Sequence, residues 1–135
     1  MAPDRIRGDT TQPIVILDTS AVLLPFEHSV DLFGDLTRLL GSYHLIIPHA
    51  VINELQQLQK RGNGKTAQHA KAGLLLIKDH PVVSSDKPGD EGIIEAALNY
   101  HAYVVTNDKE LRQRLRNKGC SVIYLRQKQY LTFDE

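Results

Sequence analysis

Five short, mostly apolar runs punctuate this sequence: "IVIL" (14–17), "YHLII" (43–47), "VVSS" (82–85), "AYVV" (102–105) and "SVIYL" (121–125). Continuous and rich in β-branched residues, they fit strands buried on both faces better than strands with one wet face. Between them the apolar period changes. Leu32, Leu36, Leu39 and Leu40 recur at helical spacing, as do Val51, Leu55 and Leu58. The segments "TAQHAKAGLLLIKDH", "DEGIIEAALNYH" and "DKELRQRLRNKG" read the same way. Pro81 and Gly119 stand where helices should stop. Strands alternating with helices predict an α/β domain: a central, mainly parallel sheet of about five strands, flanked by helices on both faces.

At 135 residues, 41% of them apolar, the chain is long enough for one cored domain, expected over residues 13–135. Residues 1–12 read as a flexible lead-in without the apolar stretch of a signal peptide. No apolar run approaches the roughly 18 residues of a membrane span. Cys120 is the single cysteine, which excludes an internal disulfide and suits a reducing compartment. The expectation is a cytoplasmic protein with no membrane partner. Sixteen basic residues balance sixteen acidic ones, so any nucleic acid must be held by a local patch.

"KRGNGKT", residues 60–66, resembles part of a phosphate-binding loop, but that motif needs a glycine where Gln59 stands and follows a strand instead of a helix. A mobile, basic connector between two helices is expected instead. The six histidines show no metal-ligand spacing, and Cys120 is expected to pack in the core.

The chemistry lies in the acids. "IVIL" runs into Asp18, and "AYVV" runs into Thr106, Asn107 and Asp108, so two buried strands each deliver an aspartate to one edge. In parallel sheets ligands bind beyond that edge. Either aspartate alone reads as a helix N-cap. Glu54 falls only about 40° around its helix from Leu58, beside the apolar stripe, where it is either a boundary residue or part of a site. Asp90 opens a helix and fits a cap as well, with Glu91 beside it as an auxiliary acid or a solvated neighbour. Brought together, Asp18, Glu54, Asp90 and Asp108 would repel one another without a cation between them. An oxygen-only set selects one or two Mg²⁺ or Mn²⁺ ions, the machinery for hydrolysing a phosphodiester.

The motifs "ILDTSAVL", "PHAVINEL", "GDEGIIEAAL" and "VVTNDKEL", in that order, resemble the PIN-domain ribonucleases from Ile14 to about Tyr130. The resemblance implies that Asp18, Glu54, Asp90 and Asp108 bind metal, with Thr106 and Ser20 as supporting hydroxyls. The C-terminal pattern "TNDKELRQRLRNKGCSVIYLRQKQYL" is most similar to the ribosomal-RNA-processing branch and its archaeal relatives. It implies a metal-dependent endonuclease cutting single-stranded RNA, with pre-rRNA as substrate and ribosome-assembly proteins as partners. Ribonuclease toxins of VapBC-type toxin–antitoxin pairs share the acids, which leaves an antitoxin partner open. A homodimer is plausible for the family.

Positive charge must surround such a nest. Lys109, Arg112, Arg114, Arg116, Lys118, Arg126 and Lys128 are opposed within their stretch only by Glu110, and Lys60, Arg61 and Lys65 offer a second bank. They form either an RNA-binding groove or a solvated face. Tyr130 suits stacking on a base, while Tyr124 suits the core. Two rivals remain beside the nuclease. An aspartyl-phosphate phosphatase needs a second aspartate where Ser20 stands. A non-catalytic scaffold binding RNA or protein fits the basic segment equally well.

Overall fold

The computed structural model describes residues 12–135; residues 1–11 of the expected lead-in lie outside the described residues. Six strands form one sheet: β1 (Ile14–Leu17), β2 (His44–Pro48), β3 (Val82–Val83), β4 (Tyr103–Val105), β5 (Val122–Arg126) and β6 (Tyr130–Phe133). Six helices flank it: α1 (Thr19–Glu27), α2 (Leu32–Leu40), α3 (His49–Arg61), α4 (Gly64–Ile77), α5 (Gly89–Tyr100) and α6 (Lys109–Asn117). The strand order is β3-β2-β1-β4-β5-β6, parallel except for the antiparallel β5–β6 pair.

The expected α/β architecture is present, with four differences. The sheet gains β6, reached from β5 through Gln127 and Lys128, both at positive φ (56° and 58°). Turns of that kind are usually announced by Gly or Asn, and this one carries neither. β6 is an edge strand whose outer backbone is occupied: Leu131 N–H donates to Asp35 Oδ2 at 2.9 Å, and Leu131 O accepts from Arg38 Nη2 at 2.7 Å. Such occupation blunts an edge that would otherwise template further pairing. The second is α1: a cap at Asp18 allows a helix to start there, but no helical pattern in the sequence marks its body. Thr19, Ala21, Val22, Leu23 and Leu24 are all buried, so it lacks the one-sided stripe that marks a helix, and it contains Pro25.

The third difference is a correction. The basic connector expected over 60–66 is only Gly62 and Asn63, because Lys60 and Arg61 still belong to α3 while Lys65 and Thr66 already belong to α4. The two helices pack closely on each other, and α4 also packs on α1. A side chain at Gly73 would meet Val22 Cγ1 at 2.8 Å, so that glycine sets how near α4 lies to α1. Similarly, "VVSS" is strand only at Val82–Val83; Ser85 turns away, donating to Glu95 Oε1 at 2.7 Å and accepting from Lys87 N at 3.0 Å.

β1 lies at the centre, with β2 on one side and β4 on the other. Its residues Val15, Ile16 and Leu17 are completely buried, as a strand covered on both faces requires. Leu17 pairs with Val105, which brings the next residues, Asp18 and Thr106, side by side. The strand order reverses at this point, so a crevice opens beyond the carboxyl ends of β1 and β4. Among the described residues, no helix is long and apolar enough to cross a membrane.

Candidate active site

Asp18 caps α1, as its position in the sequence allowed, but its surroundings exceed a cap's needs. Oδ1 accepts from Ala21 N at 2.8 Å and from Ser20 Oγ at 2.7 Å, while Oδ2 accepts a short hydrogen bond from Thr106 Oγ1. The two hydroxyls are themselves anchored on the loop after β4. Ser20 Oγ accepts from Asn107 N at 2.9 Å, and Thr106 Oγ1 accepts from Asp108 N at 3.0 Å. Each hydroxyl thus takes a backbone proton from the loop after β4 and gives its own to Asp18. With both oxygens bound, the carboxylate cannot rotate freely. Only 4% of Asp18 is exposed, and burial raises its pKa from the ordinary 3.8 to about 6, against the lowering effect of the three donors. The nearby Asp108 charge adds to the rise.

Asp108 caps α6 through Glu110 N at 2.9 Å and Leu111 N at 3.1 Å and is exposed. Asp90 differs from its expected role. It lies inside the first turn of α5, and the capping position is Pro88, which makes no side-chain cap bond. Asp90 is half-buried, and burial pushes its pKa up. Asp108 pushes it further, Arg114 opposes the rise, and Glu54 and Glu110 add to it. These influences on Asp90 and Asp18 place the acids in one electrostatic neighbourhood. Glu54, on the exposed side of α3, accepts a hydrogen bond from the buried Thr19 Oγ1 at 2.7 Å.

Asp18, Glu54, Asp90 and Asp108 all line one cavity of about 250 Å³, together with Ser20. They come from the end of β1, from α3, from the first turn of α5 and from the cap of α6. Leu23, Leu58 and Ile93 supply an apolar wall. Sequence reasoning missed two polar lining residues, Thr19 and Glu27. Had α1 been read as a helix, Glu27 would have been found seven residues after Ser20, on the same face. Thr19 had no signal of its own, since its role depends on α3 lying opposite.

Among the described residues, no three His, Cys, Asp or Glu side chains converge closely enough to hold an ion as they stand. The donor set nevertheless suits a hard divalent cation: every candidate ligand is a carboxyl oxygen, and neighbouring carboxylates help raise the pKa of Asp18 and of Asp90. Glu91 does not line the cavity. It is exposed and bound to Arg114.

The basic residues divide sharply. Arg112 pairs with Asp134 at 3.1 Å and stacks over the Tyr124 ring at 4.0 Å, while Arg116 pairs with Asp134 at 3.3 Å. Those two are turned toward the C-terminal strand, away from the acids, which corrects their expected place beside the nest. Arg114, two residues from each, faces the other side of α6 and reaches Asp90 at 3.9 Å. Lys60, Arg61, Lys65 and Arg126 are exposed and do not line the cavity. Tyr124 is half-buried and Tyr130 is 37% exposed. Cys120 packs partly against the core, where burial raises its thiol pKa.

Residues 15–128 match the family model described as a PIN like domain. Ribonuclease VapC9 of Archaeoglobus fulgidus is 32% identical over 127 residues, covering 94% of this chain and 93% of that protein. Ribonuclease VapC4 of Methanocaldococcus jannaschii is 29% identical over 121 residues, covering 86% and 92%. The PIN domain endonuclease Utp24 has the same fold, with a TM-score of 0.71 at 22% identity over 90% of each chain.

Proposed function

Since this chain belongs to the PIN-like domain family, we propose that it is a metal-dependent endoribonuclease hydrolysing phosphodiester bonds of single-stranded RNA. The observation that supports this reading most is the convergence of Asp18, Glu54, Asp90 and Asp108, from four separate elements, on one cavity at the carboxyl edge of the sheet. The names of the two ribonuclease relatives agree with it.

Mg²⁺ or Mn²⁺ held by these four acids would lower the pKa of a bound water and neutralise charge building on the phosphate. The chain's own residues prepare for that. Ser20 and Thr106 fix both oxygens of Asp18 from behind, a role in which removal of a supporting partner costs about 10–100-fold in metal affinity or activity. Thr19 fixes Glu54 in the same way. Asp108 holds its place because its Oδ1 is tied to the start of α6. Leu23, Leu58 and Ile93 keep one wall of the cavity dry, which strengthens the electrostatics within it.

Two cellular roles follow from two different observations. The C-terminal pattern from "TNDKEL" to "YLR", which forms the loop after β4, α6 and β5, favours processing of ribosomal RNA. The full-length likeness to ribonucleases of the VapC designation favours a toxin held by an antitoxin. Induced expression in a host separates them: growth arrest relieved by a small protein encoded next door marks the toxin. Unprocessed pre-rRNA on depletion marks the maturation factor. The chemistry is tested by incubating labelled single-stranded RNA with Mn²⁺, Mg²⁺ or EDTA. Cleavage that needs both the ion and Asp18 supports the nuclease; RNA bound but uncut with either ion overturns it in favour of a scaffold.

A further inference from the structure

Arg114 is, among the described residues, the one basic side chain in an ion pair with an acid of the cavity. Its Nη1 stands 3.9 Å from Asp90 Oδ2, and its Nη2 donates to Glu91 Oε1. Arg112 and Arg116, on the opposite side of α6, are occupied by Asp134. Of the helix's three arginines, one therefore stands at the rim of the nest.

We infer that Arg114 is a phosphate-binding residue that Glu91 holds in reserve: RNA displaces the Glu91 carboxylate and takes over the guanidinium. This deepens the nuclease reading and rests on its placing the RNA backbone at the acid cavity. Three features carry it. A guanidinium fork fits a carboxylate and a phosphodiester with the same paired geometry, so one ligand can replace the other. Glu91 is 58% exposed and does not line the cavity, so it leaves the fork without burying or stranding a charge. An exposed pair of this kind adds little to stability, and its exchange is correspondingly easy. Finally, a phosphate approaching Asp18, Asp90 and Asp108 meets repulsion, and Arg114 stands where it offsets that repulsion.

The two partners should then act with opposite sign. Glu91→Gln releases the fork and should tighten binding of a labelled single-stranded oligoribonucleotide about threefold. Arg114→Ala should weaken it by about as much and reduce the slope of log affinity against log salt by about 0.7, one phosphate contact. Arg114→Lys should restore the slope, though not all the affinity. The measurement is fluorescence anisotropy in EDTA over a salt series, with Mn²⁺-induced thermal stabilisation recorded for each variant. Glu91→Gln should keep the full Mn²⁺ shift.

If both variants move affinity in the same direction, or neither moves it, or the wild type binds no RNA, the inference is overturned. Loss of the Mn²⁺ shift in Glu91→Gln also overturns it, because Glu91 would then be a metal ligand. The assay involves no cleavage, so it fails independently of the nuclease reading. Opposite shifts in a protein that never cuts RNA leave the reserve arginine standing and remove the enzyme. Metal- and Asp18-dependent cutting with unshifted affinities does the reverse.

Discussion

The cavity has a floor and a rim, and they are built differently. At the floor, Asp18 is buried, capped onto α1 and bound by two hydroxyls that are themselves anchored on the loop after β4. At the rim, Glu54 and Asp108 are exposed and Asp90 is half-buried; each belongs to a different helix or cap. The floor is set by strand register, since Leu17 pairs with Val105. The rim is set by how helices pack, a looser constraint. An ion would therefore meet one pre-placed carboxylate and draw the others toward it, consistent with no three of them converging as they stand.

The largest effect should come from breaking the floor. Asp18→Asn should lower cleavage by at least about a hundredfold while leaving the metal-stripped protein at least as stable as wild type. The amide keeps one acceptor for Ser20 Oγ and Ala21 N, and its NH₂ can donate to Thr106 Oγ1 in place of the lost acceptor. Kinetics with Mn²⁺ and thermal unfolding in EDTA check the two halves. A variant that unfolds early would mean the floor carboxylate is structural and the comparison with the rim is misdrawn.

How much of this was legible in the sequence follows the same division. The strand ends were plain, because buried apolar runs stopping at Asp18 and at Thr106-Asn107-Asp108 name the carboxyl edge without knowledge of packing. The four acids were found through motif resemblance added to that pattern. What stayed hidden depended on tertiary placement. α1 is buried on nearly all sides and so has no stripe to detect, and with it Glu27 and the Thr19–Glu54 bond were lost. The arginines of α6 form one run in sequence, yet the helix turns them to opposite sides. β6 follows a positive-φ turn with no glycine or asparagine to announce it.

The floor should also show in the pH dependence of stability. Asp18 titrates near pH 6 when folded, above its ordinary 3.8, so between about pH 4 and 6 the folded state binds more protons than the unfolded one. The stability of the metal-stripped protein should therefore fall as pH rises through that window, by up to about 3 kcal/mol, and level off above it. Asp90, raised in the same direction, adds to the fall. Denaturant unfolding at several pH values measures it, and Asp18→Asn should remove most of the slope. A wild-type curve that is flat, or rises with pH, would show that the hydroxyls stabilise the charge more than burial penalises it.

A smaller loss is expected from the support of the floor. Thr106→Val conserves shape but deletes the proton given to Asp18 Oδ2 and the acceptor for Asp108 N. Mn²⁺ affinity, read by titration calorimetry, should drop about 10–100-fold. Thr19→Val removes only the bond to the rim residue Glu54, so its loss should lie toward the lower end. Equal losses in the two variants would erase the distinction between a pre-placed floor and an adaptable rim.

The smallest effect should lie outside the cavity altogether, on the far side of α6. Asp134→Asn takes the charge from the partner of Arg112 and Arg116. Arg112 keeps its place over Tyr124, and Arg116 keeps its bond to the Asp134 carbonyl, so neither side chain is set loose. Their ion pairs are partly exposed, and stability should change by less than about 1 kcal/mol. If position at the rim decides which arginine meets RNA, affinity for a single strand should stay within about twofold of wild type and the salt slope should not move. Tightening as large as that expected for Glu91→Gln would mean that α6 acts through its total charge. The rim would then end in a diffuse basic face, and Arg114 would hold no advantage over its neighbours.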